Sequence, residues 1–165
     1  PRELLAQAIV RPQLLYKRTI LATSNVTVDE LNQIVLNSMP GNSLHLVSTD
    51  QVDETDPDDQ LFPNTPEYLQ TINPNNFPPA RLSLKVGCIV MLLRNINPKA
   101  GLCNGTRLII KEIGSYVLMV AVLKVEDNEE EQIEFIPRIT LLTLENEYPF
   151  ILKRTQFPVK LSFVP

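Results

Sequence analysis

Two cysteines, Cys88 and Cys103, and one histidine, His45, are the only soft donors in this 165-residue chain. Their spacing matches no tetrahedral zinc site, which takes four such ligands in close pairs. We expect two reduced, buried thiols. With a single histidine, no Ser/His/Asp or Cys/His catalytic set can be assembled. Asp50, Asp53, Asp56 and Asp58 fall in one stretch, but it lacks the glycine and the bidentate glutamate of an EF-hand loop. Neither GxxxxGK[ST] nor GxGxxG occurs, and the chain has 5 glycines, too few for a phosphate cradle of backbone amides. The chain does not read as an enzyme by itself, and no cofactor or metal is expected in it.

One cluster suits binding rather than catalysis. Arg94, Asn95, Asn97, Lys99, Asn104, Thr106 and Arg107 crowd the connection between the apolar runs CIVMLLRN and RLIIKEI. Arg and Lys are charged donors for phosphates, while Asn and Thr offer neutral hydrogen bonds to sugars or base edges. The plainer reading is a solvated hairpin connection, with Asn104-Gly105 turning through positive φ. On the residues alone both stay open, the plain one favoured.

These residues need elements to hold them. Residues 1–17 read as a weak helix carrying Leu4, Leu5, Ala8 and Ile9, and 18–23 as a short strand. A helix follows, with Thr27 as N-cap, Glu30 completing a capping box, and Val26 and Leu31 as a hydrophobic staple. Val28, Leu31 and Val35 share its predicted face, and Met39-Pro40-Gly41 ends it. Residues 44–50 are a candidate strand. Residues 65–72 form a short helix with Thr65 as cap and Pro66 in the first turn, and 73–79 are a loop. From residue 82 five β-type runs follow, LSLKVG, CIVMLLRN, TRLIIKEIG, YVLMVAVLKV and QIEFIPRITL, with a turn at Gly114-Ser115. KRTQFPVKLSF (153–163) reads as a last strand. The expected fold class is mixed α+β, a partial α/β segment followed by a small β-barrel.

The net charge of −4 is unevenly spread. Residues 50–59 and 126–134 hold 12 of the 19 acidic residues, so the remainder carries 15 basic against 7 acidic. Both acidic runs are expected as solvated loops. The basic remainder leaves room for an anionic partner, because binding follows local patches rather than total charge. No apolar run reaches the ~18 residues that span a bilayer, and no signal peptide is seen. The first residue is Pro1, so a piece of a longer protein is expected.

Taken in order, RTILATSNVTVDELN (18–32), MPG (39–41), STDQVD (48–53), LFPNTPEYLQTI (61–72), FPPARLSLKVGCIVMLLRNINPKAGLCNGTRL (77–108), FIPRITL (135–141) and KRTQFPVKLSF (153–163) resemble the C-terminal motor region of PIF-type DNA helicases, including those of Helitron transposons. These are ATP-dependent enzymes of superfamily one that move 5′ to 3′. The resemblance implies a division into residues 1–81, part of the second RecA-like motor domain with a Pro-rich connector, residues 82–146, a Src-homology-3-like barrel, and residues 147–165, a strand returning to the motor sheet.

It also implies single-stranded DNA as partner, with Thr23, Ser24, Asn25, Arg94, Asn95, Asn104, Gly105, Thr106 and Arg107 as the contacting residues. The family's first motor domain, with its phosphate loop and magnesium carboxylate, would be the other partner; ATP and Mg would belong there. The family's later Thr-Ile-Asn/His-Lys-Ser-Gln-Gly and arginine motifs are not in this sequence. A monomer is expected, inside the cell, in the nucleus or alternatively the mitochondrion, with roles in DNA repair, recombination and telomere maintenance. The competing expectation is a protein-interaction module that docks a partner or a neighbouring domain.

Overall fold

The computed structural model describes residues 24–53, 65–124 and 129–163. The predicted helix in 1–17, the strand at 18–23 and most of the 50–59 run lie outside them.

The first helix, α1, spans Asn25–Ser38. Its N-cap is Ser24, not Thr27: Thr27 N donates to Ser24 Oγ at 3.3 Å, and the two hydroxyls lie 2.8 Å apart. Ser24 is extended while Thr27 is helical, and a serine hydroxyl in that position satisfies an otherwise orphaned amide. The staple is absent because Val26 is 69% exposed. The buried face is Asn32, Val35 and Leu36, with Met39 packed beside it, so of the predicted stripe Val35 is the fully buried member. At the far end, the buried Lys85 donates from Nζ to Met39 O at 2.8 Å, a cation placed where helix carbonyls lack partners.

The second helix, α2 (Pro66–Leu69), is capped by Thr65 with Pro66 in its first turn, as the sequence implied. Ten strands complete the described residues. They are β1 (Leu44–Val47), β2 (Thr49–Asp53), β3 (Arg81–Leu84), β4 (Ile89–Leu92), β5 (Arg107–Ile113), β6 (Val117–Val122), β7 (Ile133–Pro137), β8 (Ile139–Leu142), β9 (Ile151–Gln156) and β10 (Val159–Leu161).

All pairings are antiparallel. β10, β4, β5, β6 and β7 form an open five-stranded sheet in that order; β2, β9 and β8 form a second sheet; β1 and β3 pair as a third. The class is α+β with a small β domain. Three segments expected as single strands are each two strands in different sheets. The 44–50 run breaks at Ser48, the 132–141 run at Arg138, and the 153–163 run at Phe157-Pro158. β3 pairs with β1 rather than joining the five-stranded sheet.

The main core lies under the five-stranded sheet. It gathers Ile89, Leu92, Leu108, Ile110, Leu118, Val120 and Ile136 with Phe157, Phe163 and α1's Leu36. The alternating burial along β5 and β6 is the period-two pattern of a half-buried sheet. A bulge between Ile110 and Glu112 shifts the register against β6. A smaller cluster, Leu69, Ile72 and Leu152 with Val52, Tyr148 and Phe150, joins α2 to the second sheet.

Candidate nucleic-acid interface

The polar connection between β4 and β5 is a tightly wired turn. Asn97 and Leu102 bond to each other through their backbones, around a short 3-10 turn at Pro98–Ala100. Asn95 Oδ1 accepts from Asn104 N at 2.8 Å. Thr106 Oγ1 donates to Gly101 O at 2.9 Å and accepts from Cys103 N at 3.3 Å. Gly105 sits at φ +93, a left-handed backbone that a side chain disfavours, and its N–H reaches Leu92 O at 2.8 Å. Asn104 and Gly105 are exposed, while Thr106 is half-buried.

The two arginines of this region also bond inward. Arg94 Nη1 donates to Leu93 O and to Asn76 O, both at 2.7 Å, and its guanidinium lies 5.5 Å from the Phe77 ring centre. It thereby holds the 73–79 loop against the end of β4. Arg107 Nη2 donates to Ser162 O at 2.6 Å, fixing the chain just beyond β10. Arg107 Nε and Ser162 Oγ are buried with no hydrogen-bond partner among the described residues. Burial lowers the pKa of both guanidinium groups.

What these arginines hold in place is the wall of a cavity of about 710 Å³. One side is α1, presenting Asn25 and Gln33; another is the 73–79 loop, with Asn75 and Asn76; Arg81 and Lys160 supply positive charge. Asn32 Nδ2 closes one edge by donating to Leu161 O at 3.3 Å. Amides, two cations and the single carboxylate Asp29 make a mouth suited to a polar anionic chain rather than a greasy ligand.

Of the expected contact residues, Asn25 lines this cavity, and Arg94 and Arg107 brace its walls. Ser24 caps α1 at its rim, Asn95, Asn104, Gly105 and Thr106 shape the β4–β5 turn, and Thr23 lies outside the described residues.

Sequence reasoning missed Arg81, Lys160 and the loop asparagines. It also missed what anchors the loop. Arg154, fully buried, meets Asp50 through two bonds, Nε to Oδ1 at 2.9 Å and Nη2 to Oδ2 at 3.0 Å. Its remaining bonds run to the carbonyls of Leu69, Ile72 and Pro78, at both ends of the 73–79 loop. Asp50 also accepts from Ser48 Oγ at 2.8 Å. Asp50 is therefore a structural counter-ion, not part of a solvated acidic loop.

Gln156 and Arg138 do similar service where strands change sheets. Gln156 Nε2 donates to Leu46, Pro79 and Ala80 carbonyls. Gln156 Oε1 accepts from Arg138 Nη1 at 3.0 Å, and Arg138 lies 4.7 Å over the Phe157 ring. The signal was present: these are the arginine of FIPRITL and the arginine and glutamine of RTQFPV.

His45 Nδ1 pairs with Ser83 Oγ at 2.8 Å across β1 and β3. Cys88 is buried and Cys103 half-buried, both as free thiols. Among the described residues no helix is long and apolar enough to cross a membrane.

Residues 67–113 match the family model for the 2B domain of the DNA helicase Pif1. No curated protein sequence matches the chain. Among solved structures, Pif1 helicase from Candida albicans superposes with a TM-score of 0.63 at 18% identity, over 100% of this chain and 40% of that one. Unliganded Pif1 from a Bacteroides species gives 0.57 at 21% identity, over 87% of this chain and 39% of that one. A Bacteroides Pif1 bound to single-stranded DNA gives 0.50 at 19% identity, over 92% of this chain and 34% of that one. The chain thus spans about two fifths or less of these helicases. The 67–113 segment contains the 73–79 loop and Arg81, Leu82 and Ser83 of β3, which form one wall of the cavity; α1 and β10, outside that segment, form the rest. Residues 67–113 are thus similar to the 2B domain of Pif1, and the chain as a whole shares its fold with part of those helicases.

Proposed function

We propose that this chain contributes single-stranded DNA binding and channel architecture to an ATP-dependent, 5′-to-3′ DNA helicase, and that it does not hydrolyse ATP alone. The observation that carries the reading is the polar cavity between α1 and the 73–79 loop, built largely by the segment matching the Pif1 2B domain. Single-stranded DNA bound to a Bacteroides Pif1 of similar fold supports it. Asn25, Arg81 and Lys160 are the residues whose polar groups face the strand. Arg94 and Arg107 keep the walls in place. ATP and Mg²⁺ are held elsewhere in the parent, on its first motor domain, because phosphoryl transfer requires a phosphate loop, metal ligands and a charge-stabilising arginine together.

Fluorescence anisotropy of a labelled oligothymidine over a salt series tests this. Affinity should fall steeply with salt, as phosphate neutralisation requires. Arg81→Ala with Lys160→Ala should weaken binding roughly tenfold and flatten the slope by about two phosphate contacts. Salt-independent binding, or an unchanged double variant, would remove the cavity from the interface.

A further inference from the structure

One end of the far side of the five-stranded sheet, at β6 and β7, is left uncovered in a specific way. Along β6 and β7, Leu118, Val120 and Ile136 point into the core, so Val117, Met119, Phe135 and Pro137 point out. The register places Met119 beside Phe135 and Val117 beside Pro137. Phe135 is 62% exposed and Tyr116, just before β6, is 81% exposed. β7 is also an edge: among the described residues it pairs with β6 alone, so its outer N–H and C=O groups form an open template.

The patch is rimmed by acid. Glu112 pairs in register with Met119 on the same face, and Glu129, Glu130 and Glu131 lead into β7. Lys111 pairs with Glu131, and Lys124 meets Glu129 at 3.2 Å. The carboxylates of Glu112 and Glu130 meet no cation among the described residues.

We infer that the β7 edge and the Phe135–Met119 face dock an extended, basic peptide segment of a protein partner, added to the sheet as a further strand. Main-chain bonds to β7 would supply affinity, alternate apolar side chains would cover Phe135 and Met119, and Lys or Arg would meet the carboxylates. The same carboxylates decide against other occupants. A second copy would bring its own acidic run against this one, and a nucleic-acid backbone would be repelled. This surface is distinct from the cavity beside α1, so it stands whether or not DNA binds there.

The probe is a synthetic peptide alternating valine and lysine, with a valine–glutamate counterpart, titrated against the full chain. Deuterium uptake is followed in parallel. The lysine peptide should bind and slow exchange in residues 133–137, and the glutamate peptide should not. Phe135→Ser should weaken binding roughly tenfold, as should Glu112→Lys with Glu130→Lys; circular dichroism checks the fold of each. Failure of the lysine peptide to bind overturns the inference. So do equal binding of both peptides, protection outside β7, or unchanged affinity in both variants.

Discussion

At the scale of single residues, the Arg154–Asp50 pair is the costliest contact to break. Both side chains are out of water, and the pair is held by two charge-assisted bonds. Removing one partner strands the other as a buried charge, so Asp50→Ala should destabilise the chain by about 3–5 kcal/mol in urea unfolding. Arg154→Met with Asp50→Leu should recover a good part of that loss, because no charge is then left unpaired. A run of acids in a sequence suggests solvent, and nothing local marks Asp50 as different; its partner is 104 positions away.

Cys88 makes a second residue-scale prediction. Burial pushes its thiol up from 9.0 to about 12, against weaker opposition from backbone hydrogen bonds. Between those values the unfolded chain has lost a proton that the folded chain keeps. Stability from this group is therefore complete below pH 9 and should fall by about 1.4 kcal/mol per pH unit from 9 toward 12. Cys88→Ala should remove that component of the alkaline slope. Cys103, half-buried, should be the thiol alkylated first at neutral pH.

At the scale of elements, the sequence marks ends well where a cap or turn is chemically explicit. Thr65-Pro66 opens α2 and Gly114-Ser115 joins β5 to β6, with Gly114 N bonded to Val117 O at 3.0 Å. It misleads where two side chains could serve alike. Ser24 and Thr27 are both good caps, and extended backbone at Ser24 decides between them. The β4–β5 turn was legible as a turn, and its polar residues as a cluster. That Arg94 reaches back to the 73–79 loop was not, because that contact crosses 18 positions. Arg94→Ala should accordingly speed deuterium exchange in residues 73–79 and weaken oligothymidine binding, without moving exchange in β6 or β7. Arg94→Lys should restore little, since one ammonium cannot both reach two carbonyls and stack on Phe77 as the flat guanidinium does.

At the scale of the whole molecule, the changes of sheet at Ser48, Arg138 and Phe157-Pro158 interlock the layers. β-propensity continues across each break, so a reading by local pattern sees one strand where there are two. What splits them is tertiary: Ser48 N bonds to Ala80 O at 2.7 Å, Arg138 binds Ser115 O and Val47 O, and Leu93 N takes Pro158 O at 2.8 Å. β9 is the middle strand of one sheet and β10 an edge of another. A chain ended at residue 146 should therefore fail to fold, losing Phe157 and Phe163 from the core and leaving β2 and β8 without a partner between them. The intact chain should unfold in one urea transition, the same by fluorescence and circular dichroism.

The place of β9 in the chain has a consequence during synthesis. A ribosome releases Asp50 and the loop carbonyls long before it releases Arg154, since the pair closes over 104 positions. For that interval the wall of the cavity has no anchor, and β2 is a bare edge beside a nascent chain. The five-stranded sheet can begin to assemble from neighbouring hairpins, but the polar mouth beside α1 acquires its shape only when β9 and β10 emerge.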